Sequence, residues 1–177
     1  MTVTEFAKFK VLPPFTCSSP EILEFLADVG KKQYAFSGYP LRFYQDVNSP
    51  DAVYLVSGWD TVEDHGKWSA TDASRKVIER CMLEKLVAIE GLAHLEVEFP
   101  SLPGEWKGIA HVVVEKEGNP VADANVEESF KNATHQIYVA RDQTSPCGEV
   151  FQLAVLKDDV TGLEGKWDGV ANFLAVN

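Results

Sequence analysis

The chain has 177 residues, 45% of them apolar and 24% charged, a composition that supports a sizeable core and excludes a disordered chain. Its formal net charge of -11 is spread along the sequence, a surface that repels phosphate backbones and anionic headgroups, so neither nucleic acid nor a membrane is expected as a partner. No apolar run approaches the ~18–20 residues that span a bilayer, and the first ten residues lack the charged-then-apolar pattern of a leader.

Residues 5–12 alternate, with Ala7, Phe9 and Val11 on one face and Lys8 and Lys10 on the other, and read as a strand. Ser19 caps and Pro20 opens a helix in which Ile22, Leu26 and Val29 recur at helical spacing up to Gly30. Residues 39–47 and 52–59 are aromatic and β-branched runs joined by Asn48-Ser49-Pro50-Asp51, the chemistry of a hairpin. Asp60 and Thr61 cap a short helix through Trp68. Thr71 and Asp72 cap another, predicted to run to about residue 89 with Val77, Ile78, Cys81, Met82 and Leu86 as its buried stripe and Gly91 as its end. Residues 92–99 are the expected fourth strand.

Pro100, Pro103 and Gly104 mark the clearest boundary. The expected organisation is therefore a first repeat over 1–99, a linker over 100–107 and a shortened second repeat over 108–177. In the latter, strands are expected at 109–115, 135–141, 149–156 and 172–176, with a weak helix within 123–132 and a helical turn at Gly165-Lys166-Trp167.

The second half echoes the first. Residues 53–68 run from an apolar strand through an acidic turn to Gly66-Lys67-Trp68, and residues 150–167 do the same with two residues more. The element order β-α-β-β-α-β is that of a ferredoxin-like unit, one antiparallel sheet with helices on one face. The other sheet face is apolar too and needs a cover. The predicted fold class is α+β: two tandem ferredoxin-like repeats, the second degenerate, whose antiparallel sheets pack into a barrel.

The strand followed by Gly58-Trp59-Asp60-Thr61-Val62, an acidic residue, His65 and Trp68 resembles the dimeric α+β barrel superfamily, within it the antibiotic-biosynthesis-monooxygenase-like domains and their tandem fungal versions. The resemblance covers about residues 3–99 well and 108–177 in outline. It implies a small-molecule pocket, and a superfamily that includes cofactor-independent oxygenases, polyketide cyclases, haem-degrading enzymes, dehydratases and proteins of no known reaction. In the plant cyclase branch a Tyr on the motif helix and a later His form the acid–base pair; here Trp68 stands at the Tyr position and residues 69–74 contain no His.

His65 on the motif helix and His94 on the expected fourth strand are the candidate general bases, imidazole titrating near working pH. Glu96, two residues beyond His94, would share its face. The competing reading makes His65 a capping or solvent-facing residue and puts His94 on a solvated or interface face. Arg42, Tyr44 and Tyr54 are candidates to bind a carboxylate or phenolate, against a surface ion pair for Arg42, and Trp59 and Trp68 are candidate pocket walls. His111 shares a face with Ile109 and Val113 and reads as a core histidine. Neither metal-ligand spacing nor a phosphate loop occurs, and Cys17, Cys81 and Cys147 form no ligand pattern, which favours reduced thiols in the cytoplasm.

The expected function is thus a cytoplasmic enzyme or binder of a small aromatic or polyketide-like molecule, monomeric or homodimeric, without bound metal or cofactor. It would abstract a proton and then support oxygenation, cyclisation or dehydration in secondary metabolism. The rivals are a non-catalytic binding or stress-response module, and a haem-binding or haem-degrading protein with His94 or His111 as axial ligand.

Overall fold

A computed structural model describes residues 2–104, 106–116, 119–120, 135–146, 148–157, 160 and 168–176. The helix expected within 123–132, the turn at Gly165-Lys166-Trp167 and Cys147 lie outside these residues. The first half comprises β1 (Val3–Val11), α1 (Pro20–Ser37), β2 (Arg42–Asp46), β3 (Ala52–Trp59), α2 (Val62–Ser69), α3 (Asp72–Glu84) and β4 (Val87–Leu95). The second contributes β5 (Gly108–Lys116), β6 (Asn119–Pro120), β7 (His135–Arg141), β8 (Val150–Leu156) and β9 (Gly169–Phe173).

The strands form one antiparallel sheet in the order β4-β1-β3-β2-β9-β5-β8-β7, with β6 paired to β5. Each half repeats the same sequence of neighbours: fourth, first, third, second. The halves join edge to edge where Tyr44, Gln45 and Asp46 pair with Phe173, Asn172 and Ala171. At the opposite seam the end of β4 meets β7 through the Leu95–Asp142 bridge, with Glu96 N–H donating to the Arg141 carbonyl and Gln143 N–H to that of His94. A sheet curled until its two outer edges touch at one end turns one face inward, which is how the two apolar faces cover each other. Phe6, Tyr44, Tyr54, Leu95, Ile109 and Leu153 meet in that interior. Fully burying a ring such as Tyr44 or Tyr54 removes ~150–250 Å² from water, about 4–6 kcal/mol at ~25 cal/mol/Å².

The outer face of the first half lies under the helices: Ala7, Val11 and Leu55 pack against Ile22, Phe25 and Leu26 of α1 and Val77 of α3. Helix α1 does not stop at Gly30. It continues for two more turns, because the residues that follow are good helix formers and Gln33 finds buried partners on the sheet. Gly38 ends it in the left-handed conformation, φ 76°, with its N–H on the Tyr34 carbonyl.

The third helix is shorter than its pattern suggests. It ends at Glu84 with Lys85 in the left-handed conformation, and Val87 then enters β4, paired with Val11. Long-range pairing therefore outweighs the apolar helical phase of residues 86–89. Of the expected stripe, Val77 is buried, Ile78 and Met82 are 49% and 73% exposed, and Leu86 is buried outside the helix. Gly91 lies inside β4, next to an irregularity where Lys8 and Phe9 face Gly91 and Ile89, leaving Glu90 as the extra residue. The final strand likewise starts and ends three residues earlier than expected, at Gly169–Phe173.

Candidate active site

Glu5 carries the same parity on β1 as Val3, Ala7 and Val11, so its carboxyl lies on the helix-covered face, 4% exposed. Its cross-strand neighbours are Ser57 on β3 and His94 on β4. Trp59 Nε1–H donates to Glu5 Oε2 at 2.6 Å, and Gln33 Nε2–H, from α1, donates to the same oxygen at 3.0 Å and to Ser57 Oγ at 3.2 Å.

Helix α2 brings His65 to this carboxylate. Thr61 caps it by accepting from Asp64 N–H, and Trp68 pins it by packing on Val3 and Trp59. His65, three residues before Trp68, shares its face. The imidazole stacks on Trp59 with ring centres 4.7 Å apart, and its Nδ1 lies 2.7 Å from His94 Nε2. Its Nε2 lies 3.9 Å from Glu5 Oε1. A contact of 2.7 Å between ring nitrogens requires one to carry the hydrogen and the other the lone pair, so the imidazole pair holds at most one extra proton.

Burial dominates the electrostatics. It raises the Glu5 carboxyl above its ordinary value, opposed by the hydrogen bonds from Trp59 and Gln33 and by the charge of His94. It lowers His65. It lowers His94 as well, helped by the neighbouring His65 and opposed by Glu5 and Asp142. His65 keeps 16% of its side chain exposed, whereas His94 is 3% exposed, so His65 is the member that reaches solvent. His94 Nδ1 is buried without a hydrogen-bond partner among the described residues, while the His94 backbone N–H donates to Asp142 Oδ1 at 2.9 Å.

Both candidate bases thus meet, 29 residues apart in sequence, and His65 neither caps a helix nor faces solvent outright. His94 is buried beneath α2, while Glu96 is exposed; the carboxylate beside the imidazoles is Glu5. Glu5 had a signal, an acid on the apolar parity of an otherwise clean strand. Gln33 lay beyond the expected end of its helix, and nothing local marked Asp142.

Trp59 and Trp68 are walls of this cluster, buried to 0% and 6% exposure, with Phe36 of α1 tilted against both. Arg42, Tyr44 and Tyr54 are elsewhere. Arg42 donates to the carbonyls of Pro103 and Gly104 and sits over the Trp106 and Phe99 rings, and burial lowers its pKa. Tyr44 and Tyr54 are cross-strand partners inside the barrel. Tyr54 Oη–H donates to Asp46 Oδ2 at 3.0 Å, and burial raises both phenols, Tyr44 having no hydrogen-bond partner for its hydroxyl among the described residues. No group of three or more His, Cys, Asp or Glu side chains suited to a metal ion occurs among the described residues.

No protein-family model matches the chain, and no curated protein matches it by sequence. Solved structures do. A candidate monooxygenase from Fusobacterium nucleatum superposes with a TM-score of 0.60 at 10% identity, covering 99% of this chain and 93% of that one. A candidate chlorite dismutase gives 0.57 at 11%, covering 99% and 95%. A variant of the chlorite dismutase of Candidatus Nitrospira defluvii gives 0.56 at 11%, covering 99% and 92%. At such identity the likeness establishes the α+β barrel fold alone. No helix among the described residues is long and apolar enough to cross a membrane.

Proposed function

We propose that the chain is a cytoplasmic small-molecule protein of the antibiotic-biosynthesis-monooxygenase-like kind, with two barrel repeats in one chain, that transfers a proton at Glu5, His65 and His94. The observation that carries the reading is the 2.7 Å contact of a partly exposed imidazole, His65, with a buried one, His94, and a buried carboxylate behind them. Perturbed titratable groups in mutual contact cluster at functional sites, and here one edge of the pair is open to solvent. The likeness to a candidate monooxygenase supports the same direction.

In this scheme an acidic phenol or enol hydroxyl delivers its proton to His65 Nε2, whose Nδ1–H faces the His94 Nε2 lone pair. Glu5, held by Trp59 and Gln33, favours the imidazolium that forms. The resulting electron-rich anion is what oxygenation by dioxygen, cyclisation or dehydration in secondary metabolism would require. Trp59 and Trp68 set the position of the base. Arg42, Tyr44 and Tyr54 serve the barrel and its loops in this reading.

A haem fits the described residues poorly. His94 Nε2 is engaged by His65, and His111 borders a cavity of about 220 Å³, below the ~300–1,000 Å³ of pockets for drug-sized ligands. The binding-module reading draws on a different observation, that Tyr44, Tyr54 and Trp59 lie in packed cores.

The test is turnover of a panel of phenolic and polyketide-like compounds by wild type, His65→Ala and His94→Ala. Losses of about 10²–10⁴-fold in both variants are expected if the pair is the base. Near-wild-type turnover in both removes the proposal, and binding without turnover in wild type moves the protein to the binding-module reading. A Soret band on haem titration would restore the haem reading.

A further inference from the structure

The barrel interior contains a second place where a buried histidine meets open space. His111, on β5, is 8% exposed, and neither ring nitrogen has a hydrogen-bond partner among the described residues. Leaving a buried polar group unpaired costs about 1–3 kcal/mol, so an unpartnered imidazole calls for a partner. The ring borders the cavity of about 220 Å³, whose walls include Phe6, Tyr54 and Phe151. Phe6 and Tyr54 meet the imidazole edge to face at 4.8 and 5.0 Å. A Cβ at position 169 would collide with Tyr54 Oη and His111 Nε2, so Gly169 is what admits both groups.

The mouth follows from the topology. Among the described residues the β4–β7 seam is joined at the Leu95–Asp142 bridge and by the two backbone hydrogen bonds beside it, and Gly91 and Leu92, both exposed, line the cavity from the part of β4 away from that join.

The charged groups nearby are already engaged. Lys8 pairs with Glu90 at 3.3 Å and Glu149 with Lys116 at 3.4 Å. Asp142 Oδ1 accepts from His94 N–H, Thr144 N–H and Thr144 Oγ1. Asp46 accepts from Tyr54 Oη and two backbone N–H groups, and Asp168 from Val113 N–H. Burial meanwhile holds His111 at about 4, so at neutral pH it offers one donor and one acceptor and no charge. A neutral donor–acceptor pair among aromatic walls suits an uncharged ligand. A cavity of ~150 Å³ takes benzene, so this one takes a single ring with one or two substituents.

We propose that the barrel interior is a binding site for one uncharged, single-ring hydroxyaromatic molecule, its hydroxyl hydrogen-bonded to His111 and its ring against the walls formed by Phe6, Tyr54 and Phe151. This site is separate from the Glu5–His65–His94 cluster, which lies on the opposite face of the sheet.

The experiment is a titration of the full chain, labelled with ¹⁵N in its histidine rings, with phenol and with benzene. The expected result is that phenol binds about two- to tenfold more tightly than benzene, the worth of one hydrogen bond, and moves the His111 ring resonances while leaving those of His65 and His94 in place. His111→Phe should reduce phenol to the affinity of benzene. Phe151→Trp, which narrows the cavity and keeps the imidazole, should weaken both and covers the case in which the first variant does not fold. Equal affinity for the two probes, shifts confined to His65 and His94, or a cavity holding only exchanging water with no phenol bound would each overturn the proposal.

Discussion

Two buried histidine sites sit on opposite faces of one sheet, and they have solved the same problem differently. On the helix-covered face, His65 and His94 bond to each other and lie against Glu5, which itself accepts from Trp59 and Gln33. Inside the barrel, His111 has aromatic neighbours and no hydrogen-bond partner among the described residues. Burial lowers all three imidazoles. The networked pair can exchange a proton with what reaches His65, whereas His111 is kept neutral and suited to a neutral partner. Burial alone therefore does not distinguish a proton-transfer group from a binding group; the partners do.

The most severe way to break the comparison is Glu5→Ala. It leaves the Trp59 and Gln33 donors unpaired in the core and should cost about 3–5 kcal/mol in urea unfolding. Glu5→Gln keeps the shape and should cost far less while still impairing proton transfer, so equal losses in both variants would show that Glu5 is merely packing.

The next effect is a pH dependence. The folded-state value for His111, about 4, lies below its ordinary value of 6.5, so between those pH values the unfolded chain binds a proton that the native chain does not. Stability should therefore fall by about 3 kcal/mol as pH drops from 6.5 to 4, and His111→Phe should flatten that slope. His65 and His94 are also lowered, so part of the slope belongs to them. An unchanged pH profile in His111→Phe would assign the whole of it to the networked pair.

A smaller loss, about 1–3 kcal/mol, is expected for His65→Ala, which strips buried His94 Nε2 of its partner. In a double-mutant cycle with His94→Ala the two should couple by at least about 0.5 kcal/mol, while neither should couple to His111→Phe. The smallest effect is expected for Tyr54→Phe. It removes the hydrogen bond to Asp46 Oδ2 while Oδ1 retains its two backbone donors, and should cost about 0.5–1.5 kcal/mol.

Legibility in the sequence differed by element. β7 falls at its expected residues, and β5 and β8 within one residue, because alternation and β-branched runs report a half-buried strand directly. The junction of α3 and β4 is ambiguous in the sequence because residues 86–89 satisfy a helical phase as well as a strand, and only their pairing with β1 decides between them. His65 and His94 were visible as isolated imidazoles. Their contact was not, since it needs β4 beside β1 and α2 laid across both. Arg42 and Tyr44 are two residues apart on β2 and so share a strand face. Both pack on Trp106, with the Arg42 guanidinium on the carbonyls at 103 and 104 and the Tyr44 ring in the barrel core.

The amino-acid sequence by itself determined the strand and helix inventory of the first half, the echo between residues 53–68 and 150–167, and the α+β class, all of which rest on local periodicity and cap chemistry. Tertiary structure alone decided that Glu5 stands behind two touching imidazoles and that His111 opens on a cavity beside the β4–β7 seam. Those relations join residues that periodicity treats independently, and they arise from strand register and sheet closure, which fix which side chains share a face and which are left without a partner.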